Sequence, residues 1–469
     1  MNTKYELTVG LEVHVELKTA SKIFCPCPTE FGAAPNTHIC PVCMGLPGAL
    51  PHLNKKAVKY AIRAGLATNC KISNVSRMAR KNYFYPDLPK AFQISQAEPP
   101  LCYDGYLNVN GHRVGITRIH IEEDAGKLIH GKNGATLIDY NRCGVPLIEI
   151  VSAPDIRSAD EAKEYLKKLR SILLYTKISD CKMNEGSLRC DVNISIKEKG
   201  SSEAGVRVEV KNINSFAFVG KAIEAEFLRM SEILSSGGKV ERETRRFDES
   251  SGKTQSMRSK EEIADYRFLD EPDIMPIKIT DGQIKEIADG LPALPDERKQ
   301  KYENGFGLSP YDAELLSSDI ALAELFEEAC GFTEHKKAVA NLILGEVLRL
   351  NDSEDFFCPI GAENLAQLAE LSATEQINAS TAKKLVPRLW AENVSPLEIV
   401  KKEDLFAIND REELLALAKQ AVEQNARAVN DYKNGKSAAL RSLIGFVMSR
   451  TGGRANAKIA EEILIELLN

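Results

Sequence analysis

The stretch Gly10-Leu11-Glu12-Val13-His14-Val15-Glu16-Leu17 alternates apolar residues with acidic or titratable ones. Because every second side chain of a β-strand points to the same face, Glu12, His14 and Glu16 are expected to lie together. Alternation alone is also typical of a strand with one face in water. The stretch therefore predicts a strand with a polar face, which is either a site or a plain solvated surface.

Four further segments alternate apolar and charged residues in the same way: 119–123, 147–151, 188–195 and 206–211. Their polar residues include Glu122, Glu123, Glu149, Arg189, Asp191, Asn193, Arg207, Glu209 and Lys211. A sheet face lined with carboxylates and a histidine attracts hard cations such as Mg²⁺, and through them phosphates. Five such segments favour a site over a plain solvated face, although each one alone does not.

Length and composition narrow the class of protein. A chain of 469 residues should hold two or three domains with sizeable cores. Its 61 basic and 67 acidic residues give a net charge of −6, so no global field attracts nucleic acid and any such contact must be local. The first residues lack the apolar core of a signal peptide, and no apolar run is long enough to cross a bilayer. We therefore expect a soluble, cytoplasmic protein without a membrane partner.

Four of the eleven cysteines are grouped as Cys25-Pro-Cys27 and Cys40-Pro-Val-Cys43. Two close thiolate pairs separated by a short loop can form a tetrahedral Zn²⁺ site, and His38 is an alternative ligand. Zinc is favoured over a redox pair because two pairs coordinate a metal more naturally than they cycle. The pattern predicts a structural zinc knuckle that fixes a loop.

The character of the chain changes near residue 290. Before it, strands alternate with a few helices, one starting at a capping box, Ser158-Ala-Asp-Glu161, and one running from about Phe216 to Leu234. Prolines between 272 and 295 indicate a linker. After it, apolar residues recur at helical spacing, with another break near 405–411. The sequence predicts an α+β region followed by all-α regions.

The last region is locally basic. Between residues 422 and 458 seven basic residues face two acidic ones, several of them beside glycine-bearing turns. Such a patch attracts phosphates, and helix starts can hold them. The alternatives are an RNA-binding surface and an ordinary solvated basic face.

Two further segments carry possible ligand contacts. The segment 80–95 reads as an exposed loop with Lys81, Lys90 and three consecutive aromatic rings, which either stack a base or cover a core edge. In 243–248, Arg245 and its neighbour lie close to acids, which suits phosphoryl transfer but also a surface lattice of ion pairs. Neither a P-loop nor a G-x-G-x-x-G fingerprint occurs, so ATP, if used, is held by metal ions and arginines on a sheet.

Six spaced blocks together resemble the B subunits of the aspartyl/glutamyl-tRNA amidotransferases. They are Gly10-Leu-Glu-Val-His-Val-Glu-Leu17, Arg80-Lys-Asn-Tyr-Phe-Tyr-Pro-Asp87, Glu122-Glu-Asp-Ala-Gly-Lys127, Gly186-Ser-Leu-Arg-Cys-Asp191, Glu209-Val-Lys-Asn-Ile-Asn-Ser-Phe216 and Glu243-Thr-Arg-Arg-Phe-Asp248. The resemblance covers essentially the whole chain. It implies an α+β cradle domain at 1–292, with a glutamine-synthetase-like antiparallel sheet and helices. It also implies a helical domain at 293–407 and a tRNA-binding tail domain at 408–469.

The resemblance also implies an activity. Such a protein phosphorylates the side-chain carboxylate of misacylated Glu-tRNA(Gln) or Asp-tRNA(Asn) with ATP and Mg²⁺, and ammonia displaces the phosphate. The ammonia comes from glutamine hydrolysed on the amidase, or A, subunit, while the small C subunit holds the pair together in a heterotrimer. A tRNA-binding adaptor without phosphotransfer chemistry and a free-standing metal-dependent hydrolase are the alternatives.

Site residues follow from the matching blocks. The expected Mg²⁺ ligands are Glu12, His14 and Glu123, with Glu122 and Glu209 as secondary candidates, and one of the pair Glu122 and Glu123 is expected where the ammonia channel meets the site. Lys81 and Arg245 are expected partners of phosphate or of the channel. Zinc is assigned to Cys25, Cys27, Cys40 and Cys43. The residues assigned to tRNA are Lys433, Lys436, Arg441, Arg450, Arg454 and Lys458.

Overall fold

The computed structural model describes residues 4–96, 98–131, 134–259, 266–352 and 356–468. Contacts within the chain divide it into two compact units, Met1–Leu294 and Pro295–Asn469. The first unit contains the strands and the second is helical. This agrees with the predicted change from an α+β region to an all-α region, whereas the boundary between the helical and tail domains stays a prediction.

The strands of the first unit carry the polar alternation seen in the sequence. They are β1 (Tyr5–Glu16), β2 (Lys71–Ile72), β3 (Val75–Ser76), β4 (Met78–Asn82), β5 (Phe92–Gln96), β6 (Cys102–Val109), β7 (His112–Glu123), β8 (Lys127–His130), β9 (Thr136–Asp139), β10 (Pro146–Ser152), β11 (Leu188–Glu198), β12 (Val208–Ile213), β13 (Glu243–Asp248), β14 (Lys253–Ser259), β15 (Leu269–Asp270) and β16 (Ile277–Lys278). The helices are α1 (Lys55–Ala67), α2 (Ala159–Tyr175), α3 (Phe216–Ser235) and α4 (Asp281–Asp289).

The largest sheet among the described residues has nine strands in the order β14-β13-β12-β11-β1-β10-β7-β6-β2. Its pairs are antiparallel except β12 with β13, so the sheet is mixed and the prediction of a purely antiparallel sheet is wrong at this point. The physical reason is the connection: α3 carries the chain from the end of β12 back to the start of β13. A helical crossover of this kind joins parallel strands.

Strand alternation gives this sheet one apolar and one polar face. On the apolar face Val9, Val13 and Val15 of β1 are completely buried, and helix α3 packs on this region of the sheet. On the polar face His14 is paired with Glu149 of β10 and Arg189 of β11. The register therefore places charged residues from neighbouring strands side by side, as alternation with a period of two requires.

Helix α2 buries one face, as its sequence predicts. Ala162, Leu166, Leu169 and Leu173 are all buried. The Ser158 side chain accepts the backbone N–H of Glu161, but Glu161 accepts from Arg157 instead of returning the bond to Ser158. Only half of the predicted capping box forms.

Two local predictions are wrong. The segment 80–95 is not a loop throughout, because its ends belong to β4 and β5, which pair antiparallel as a hairpin with the aromatic residues between them. The predicted linker contains α4, whose N-terminus is a capping box formed by Thr280 and Gln283. Capping satisfies the free N–H groups at the helix start, which allows a short helix among prolines.

The second unit consists of helices that bury apolar faces in two separate clusters. The helices are α5 (Pro295–Phe306), α6 (Pro310–Ser317), α7 (Ile320–Cys330), α8 (Lys336–Leu342), α9 (Leu348–Leu350), α10 (Ala362–Ala373), α11 (Ala379–Glu392), α12 (Pro396–Lys402), α13 (Arg411–Gln424), α14 (Ala426–Lys433), α15 (Leu440–Arg450) and α16 (Ala457–Leu468), with a π-helical turn at Ile343–Val347 and a 3₁₀ turn at Ser437–Ala439. One cluster draws on residues from Tyr302 to Val400, and the other on residues from Leu414 to Leu468. Among the described helices none is both long and apolar enough to span a bilayer.

Candidate functional site

The polar face of the sheet brings two histidines and two glutamates together. His14 Nε2 lies 3.4 Å from Glu149 and 3.8 Å from Glu122. His120 Nε2 lies 3.5 Å from Glu149 and 3.7 Å from Glu122. Three of these four side chains, those of His120, Glu122 and Glu149, are buried. His14, Glu122 and Glu149 each offer a ligand atom within 4.8 Å of the others, which is a geometry able to hold a cation.

The charges in this cluster support one another. Burial disfavours the charged form of His14, but the hydrogen bond and charge of Glu149, followed by the charges of Glu122 and Asp191, raise the pKa of His14. Burial likewise opposes ionisation of Glu149, but the hydrogen bond to His14 and the nearby positive charges lower its pKa. The pKa of Glu122 is also lowered despite burial, mainly by its hydrogen bond to His120. The carboxylates are therefore kept ionised, which is the form that binds cations.

A second acidic group lies beside the first on the same face. Glu12, Asp191 and Glu209, from β1, β11 and β12, offer oxygens within 4.8 Å of one another. Lys211 Nζ lies 2.6 Å from Asp191 and 3.2 Å from Glu209, and Asn193 donates to Glu12 at 2.8 Å. Because Glu12 and His14 are two residues apart on one strand, the two groups are separated by about 7 Å along it.

Glu16 lies next along β1. Burial, followed by the charge and hydrogen bond of Asp124, raises the pKa of Glu16 to about 8. Burial opposes the ionised form of Asp124 too, but the charges of Arg189 and Arg142 lower its pKa. Glu16 therefore shares the polar face but favours the protonated form, in contrast to Glu122 and Glu149.

Glu123 does not lie with its neighbour Glu122. Adjacent strand residues point to opposite faces, and Glu123 shares the side of Ile119 and Ile121. Its carboxylate lies 2.8 Å from Lys90 Nζ and accepts the backbone N–H of Ile94 at 2.7 Å. This ion pair lines a cavity of about 200 Å³. The cavity is also lined by Lys22, Cys25, Cys43, Arg80 and Glu271.

Lys81 lies near the cluster of histidines and glutamates. Its charge contributes to lowering the pKa of Glu149, and its Nζ lies 4.9 Å from the ring centre of Tyr266 and 5.9 Å from that of Tyr83. Phe84, in the loop between β4 and β5, is 90% exposed. The aromatic segment therefore presents exposed ring surface as well as rings packed against Lys81.

Arg245 does not lie on the polar face. It pairs in register with the apolar-face residue Val210, and its guanidinium lies 3.1 Å from Glu226 and 2.7 Å from Glu243. Glu226, on α3, is completely buried. The structure gives Arg245 the position of a counterion for a buried carboxylate under the sheet.

The four grouped cysteines come together in the first unit. The sulfurs of Cys25, Cys27, Cys40 and Cys43 all lie within 4.8 Å of one another, and His38 is not part of this group. The hydrogen bond from Cys25 and, less strongly, the backbone N–H of Cys40 and the charge of Lys22 lower the pKa of Cys43 against the effect of burial. Four converging thiols, one of them favouring the thiolate, form a group that can hold a metal ion.

The basic residues of the last region divide into two sets. Lys436, Arg454 and Lys458 are paired with Asp431, Asp404 and Glu375 at 2.7–2.9 Å. For Lys433, Arg441 and Arg450 no acidic partner is found in the described part of the chain, and all three are exposed. The second set therefore presents positive charge at the surface that no described carboxylate offsets.

Sequence reasoning did not select Glu149, His120 or Asp191 as ligands, although all three lie in segments with the polar alternation.

The chain belongs to the GatB/GatE family. The model of the GatB/GatE catalytic domain matches residues 7–285, and that of the GatB domain matches residues 324–468.

The relatives are named as B subunits of aspartyl/glutamyl-tRNA(Asn/Gln) amidotransferase. The protein from Caldicellulosiruptor saccharolyticus is 52% identical over 476 residues, which cover 99% of both chains. Those from Carboxydothermus hydrogenoformans and Clostridium botulinum (strain Loch Maree / Type A3) are 50% and 47% identical, each again with 99% of both chains covered. The resemblance carried by the six sequence blocks is thereby confirmed.

Proposed function

We propose that this chain is the B subunit of an aspartyl/glutamyl-tRNA(Asn/Gln) amidotransferase, a ligase that amidates Glu-tRNA(Gln), Asp-tRNA(Asn) or both at the expense of ATP. The observation that carries the proposal is the row of His14, Glu149 and His120 across three neighbouring strands, with the second acidic group beside it. Membership of the family and the names of its relatives support the same reaction.

The chemistry requires an activated carboxylate. A carboxylate oxygen of the esterified amino acid attacks the γ-phosphorus of ATP, the bond to the bridging oxygen breaks, and ADP leaves. Ammonia then attacks the acyl carbon of the resulting acyl phosphate, inorganic phosphate leaves, and the nitrogen loses a proton to give the amide. Positioning and charge neutralisation supply most of the catalysis in such a phosphoryl transfer.

The polar face fits divalent cations because its donors are ionised carboxylates and the imidazole of His14, which would give up to solution the proton that Glu149 favours when an ion binds. His14, Glu122 and Glu149 would hold one ion and Glu12, Asp191 and Glu209 a second. Mg²⁺, when bound, offsets the charge of the nucleotide phosphates. Lys81, whose charge acts on Glu149, would add positive charge for phosphate oxygens. Lys211, now paired with Asp191 and Glu209, would turn from them to a phosphate oxygen when the second ion binds.

Glu123 and Lys90 serve a different step in this proposal. Their ion pair lines the cavity of about 200 Å³ on the other side of the sheet from Glu122. We assign this cavity to the passage of ammonia from the amidase, or A, subunit. The heterotrimer is completed by the small C subunit. Arg245, together with Arg229 a counterion of Glu226, supports the fold of β13 and α3.

The remaining assignments concern binding. We propose that the first unit is the cradle domain related to glutamine synthetase, and that residues 293–407 and 408–469 are the helical and tail domains. The tail would hold the tRNA body through its exposed lysines and arginines. The four cysteines would hold a structural Zn²⁺.

The test follows phosphate release from ATP by the purified chain with misacylated tRNA, ammonium chloride and Mg²⁺. The proposal predicts release that requires both the tRNA and Mg²⁺, that is stronger with the partner subunits present, and that is abolished by Glu149→Gln with tRNA affinity preserved. A tRNA-binding adaptor predicts that Glu149→Gln leaves amidation intact. A free-standing hydrolase predicts product release without ATP and without any ammonia source.

A further inference from the structure

Lys22 is the most deeply buried lysine of the cysteine region, with 1% of its surface exposed. It stands between β1 and the grouped cysteines, and its backbone N–H donates to the carbonyl of Cys27 at 2.9 Å. Its alkyl stem passes over Gly144, where an added Cβ would lie 3.6 Å from Lys22 Cδ. Such burial of a lysine is unusual unless its charge is compensated.

The partners of the ammonium group show how it is compensated. Lys22 Nζ donates to the carbonyl oxygens of His38 at 2.8 Å and of Tyr140 at 3.3 Å, and its third donor faces Cys43 Sγ at 3.7 Å. Within the described residues, no carboxylate forms an ion pair with Lys22. Two carbonyl dipoles do not neutralise a buried charge. Among the hydrogen-bond partners of Lys22 Nζ in the described residues, Cys43 Sγ alone can itself carry a negative charge.

The ammonium group of Lys22 lies against one of the four thiols that would hold the metal ion. Four thiolates around Zn²⁺ carry a net negative charge, which is costly in a region where Cys25, Cys27 and Cys43 are buried. A positive donor at one sulfur reduces that charge and orients the ligand, as hydrogen-bonding groups around metal ligands commonly do. We propose that Lys22 is a positioning residue of the metal site, holding the Cys43 thiolate by charge and by an N–H···S hydrogen bond.

The inference rests on the proposed zinc site and is tested through metal affinity. Zinc binding to the full-length chain is measured by competition with chelators, for the wild type, Lys22→Met, Lys22→Gln and the control Lys18→Met. Lys18 is exposed and lies four residues earlier in the same segment. Lys22→Gln keeps N–H donors for the two carbonyls but removes the charge, so it separates the metal role from a role in fastening the loop.

Zinc affinity is expected to fall about 10- to 100-fold in Lys22→Met and about 10-fold in Lys22→Gln, and to stay unchanged in Lys18→Met. With Co²⁺ in place of zinc, the sulfur-to-metal charge-transfer band is expected to move to longer wavelength in both Lys22 variants, because Cys43 becomes a stronger electron donor. If Lys22→Met does not fold, the zinc affinity and the Co²⁺ spectrum of Lys22→Gln serve as the test. Wild-type affinity and an unchanged Co²⁺ spectrum in Lys22→Gln would overturn the inference. A wild-type chain that takes up no zinc would instead refute the proposed zinc site.

Discussion

His14 and His120 approach the same carboxylate from opposite sides: their Nε2 atoms lie 3.4 and 3.5 Å from Glu149. The three residues stand in register on β1, β10 and β7, so the sheet itself fixes their spacing. His120 Nδ1 is buried and has no hydrogen-bond partner among the described residues. Nε2 is therefore the ring nitrogen through which His120 interacts with the carboxylates. His120 therefore lies beside the candidate cation site formed by His14, Glu122 and Glu149, where it holds the two carboxylates in place.

The two members of the pair Glu122 and Glu123 should have separable roles. Glu123→Gln removes the charge opposite Lys90 in the cavity but leaves the polar face intact. We expect glutamine-dependent amidation by the complete heterotrimer to fall about tenfold or more, with the ammonium-dependent reaction much less affected. Asp273→Asn, on an exposed wall of the same cavity, is the control and should change neither rate. Equal losses with glutamine and with ammonium chloride would contradict the assignment of the cavity to ammonia.

Arg245 should contribute to stability more than to catalysis. Arg245→Met removes one of the two counterions of the completely buried Glu226. Because Arg229 stays paired with this carboxylate at 2.8 Å, we expect a loss below the about 3–5 kcal/mol of a fully broken buried pair. The measurement is urea denaturation, with Arg246→Met as the control because Arg246 is exposed on the same strand. Combining Arg245→Met with Glu226→Gln should recover part of the loss. If Arg245→Met is as stable as the control but inactive, Arg245 contacts substrate after all.

Glu16 should make the folded state less stable as the pH rises. Its pKa is about 8 in the folded chain against an ordinary value of 4.5, so between these values the folded state holds a proton that the unfolded state has released. The contribution of this carboxyl to the free energy of unfolding is therefore fully present below about pH 4.5, and it is lost progressively as the pH rises to about 8. Glu16→Gln should be more stable than the wild type at pH 8.5 by at least about 1 kcal/mol, since one pKa unit corresponds to about 1.4 kcal/mol.

Urea denaturation at pH 5 and pH 8.5 measures this difference. Glu6→Gln is a matched control on the same strand, where the carboxylate is 3.7 Å from Lys197 and partly exposed. If the difference in unfolding free energy between Glu16→Gln and the wild type is the same at both pH values, Glu16 is ionised at both pH values in the folded as well as the unfolded chain.

The basic residues without acidic partners should dominate tRNA binding. Arg441→Gln and Arg450→Gln are each expected to reduce the slope of log affinity against log salt by about 1 or slightly less, as the loss of one phosphate contact does. Arg454 and Lys458 are engaged with Asp404 and Glu375, so Lys458→Gln should have a smaller effect. Filter binding of unacylated tRNA at several salt concentrations gives these slopes. Slopes that are the same for Arg441→Gln and the wild type would place the tRNA elsewhere.

The sequence predicts the faces of the sheet well, because a period of two determines which side chains share a face whatever the strand order. It cannot supply that order. Residues 14, 120 and 149 meet only through pairing between distant segments, and for this reason Glu149 and His120 were not selected as ligands. The same alternation could have excluded one of Glu122 and Glu123, since neighbours on a strand point apart.

Other features depend on packing that no local pattern shows. Arg245 matched a phosphate-binding pattern of arginines near acids, but the helix α3 places a buried Glu226 beneath it. The cysteine spacing did predict the convergence of Cys25, Cys27, Cys40 and Cys43, because short loops keep such pairs close. The buried Lys22 beside them had no signature in the sequence.

The most direct test of the account is the binding of Mn²⁺, a spectroscopic substitute for Mg²⁺, measured by electron paramagnetic resonance on the full-length chain in the presence of ATP. We expect Glu149→Gln and His120→Gln each to weaken Mn²⁺ binding by more than about tenfold and to lower ATP-dependent phosphate release in parallel, while His130→Gln, on the exposed strand β8, changes neither. Unaltered Mn²⁺ binding in Glu149→Gln would show that the polar face of the sheet does not hold the cation, and would contradict the account.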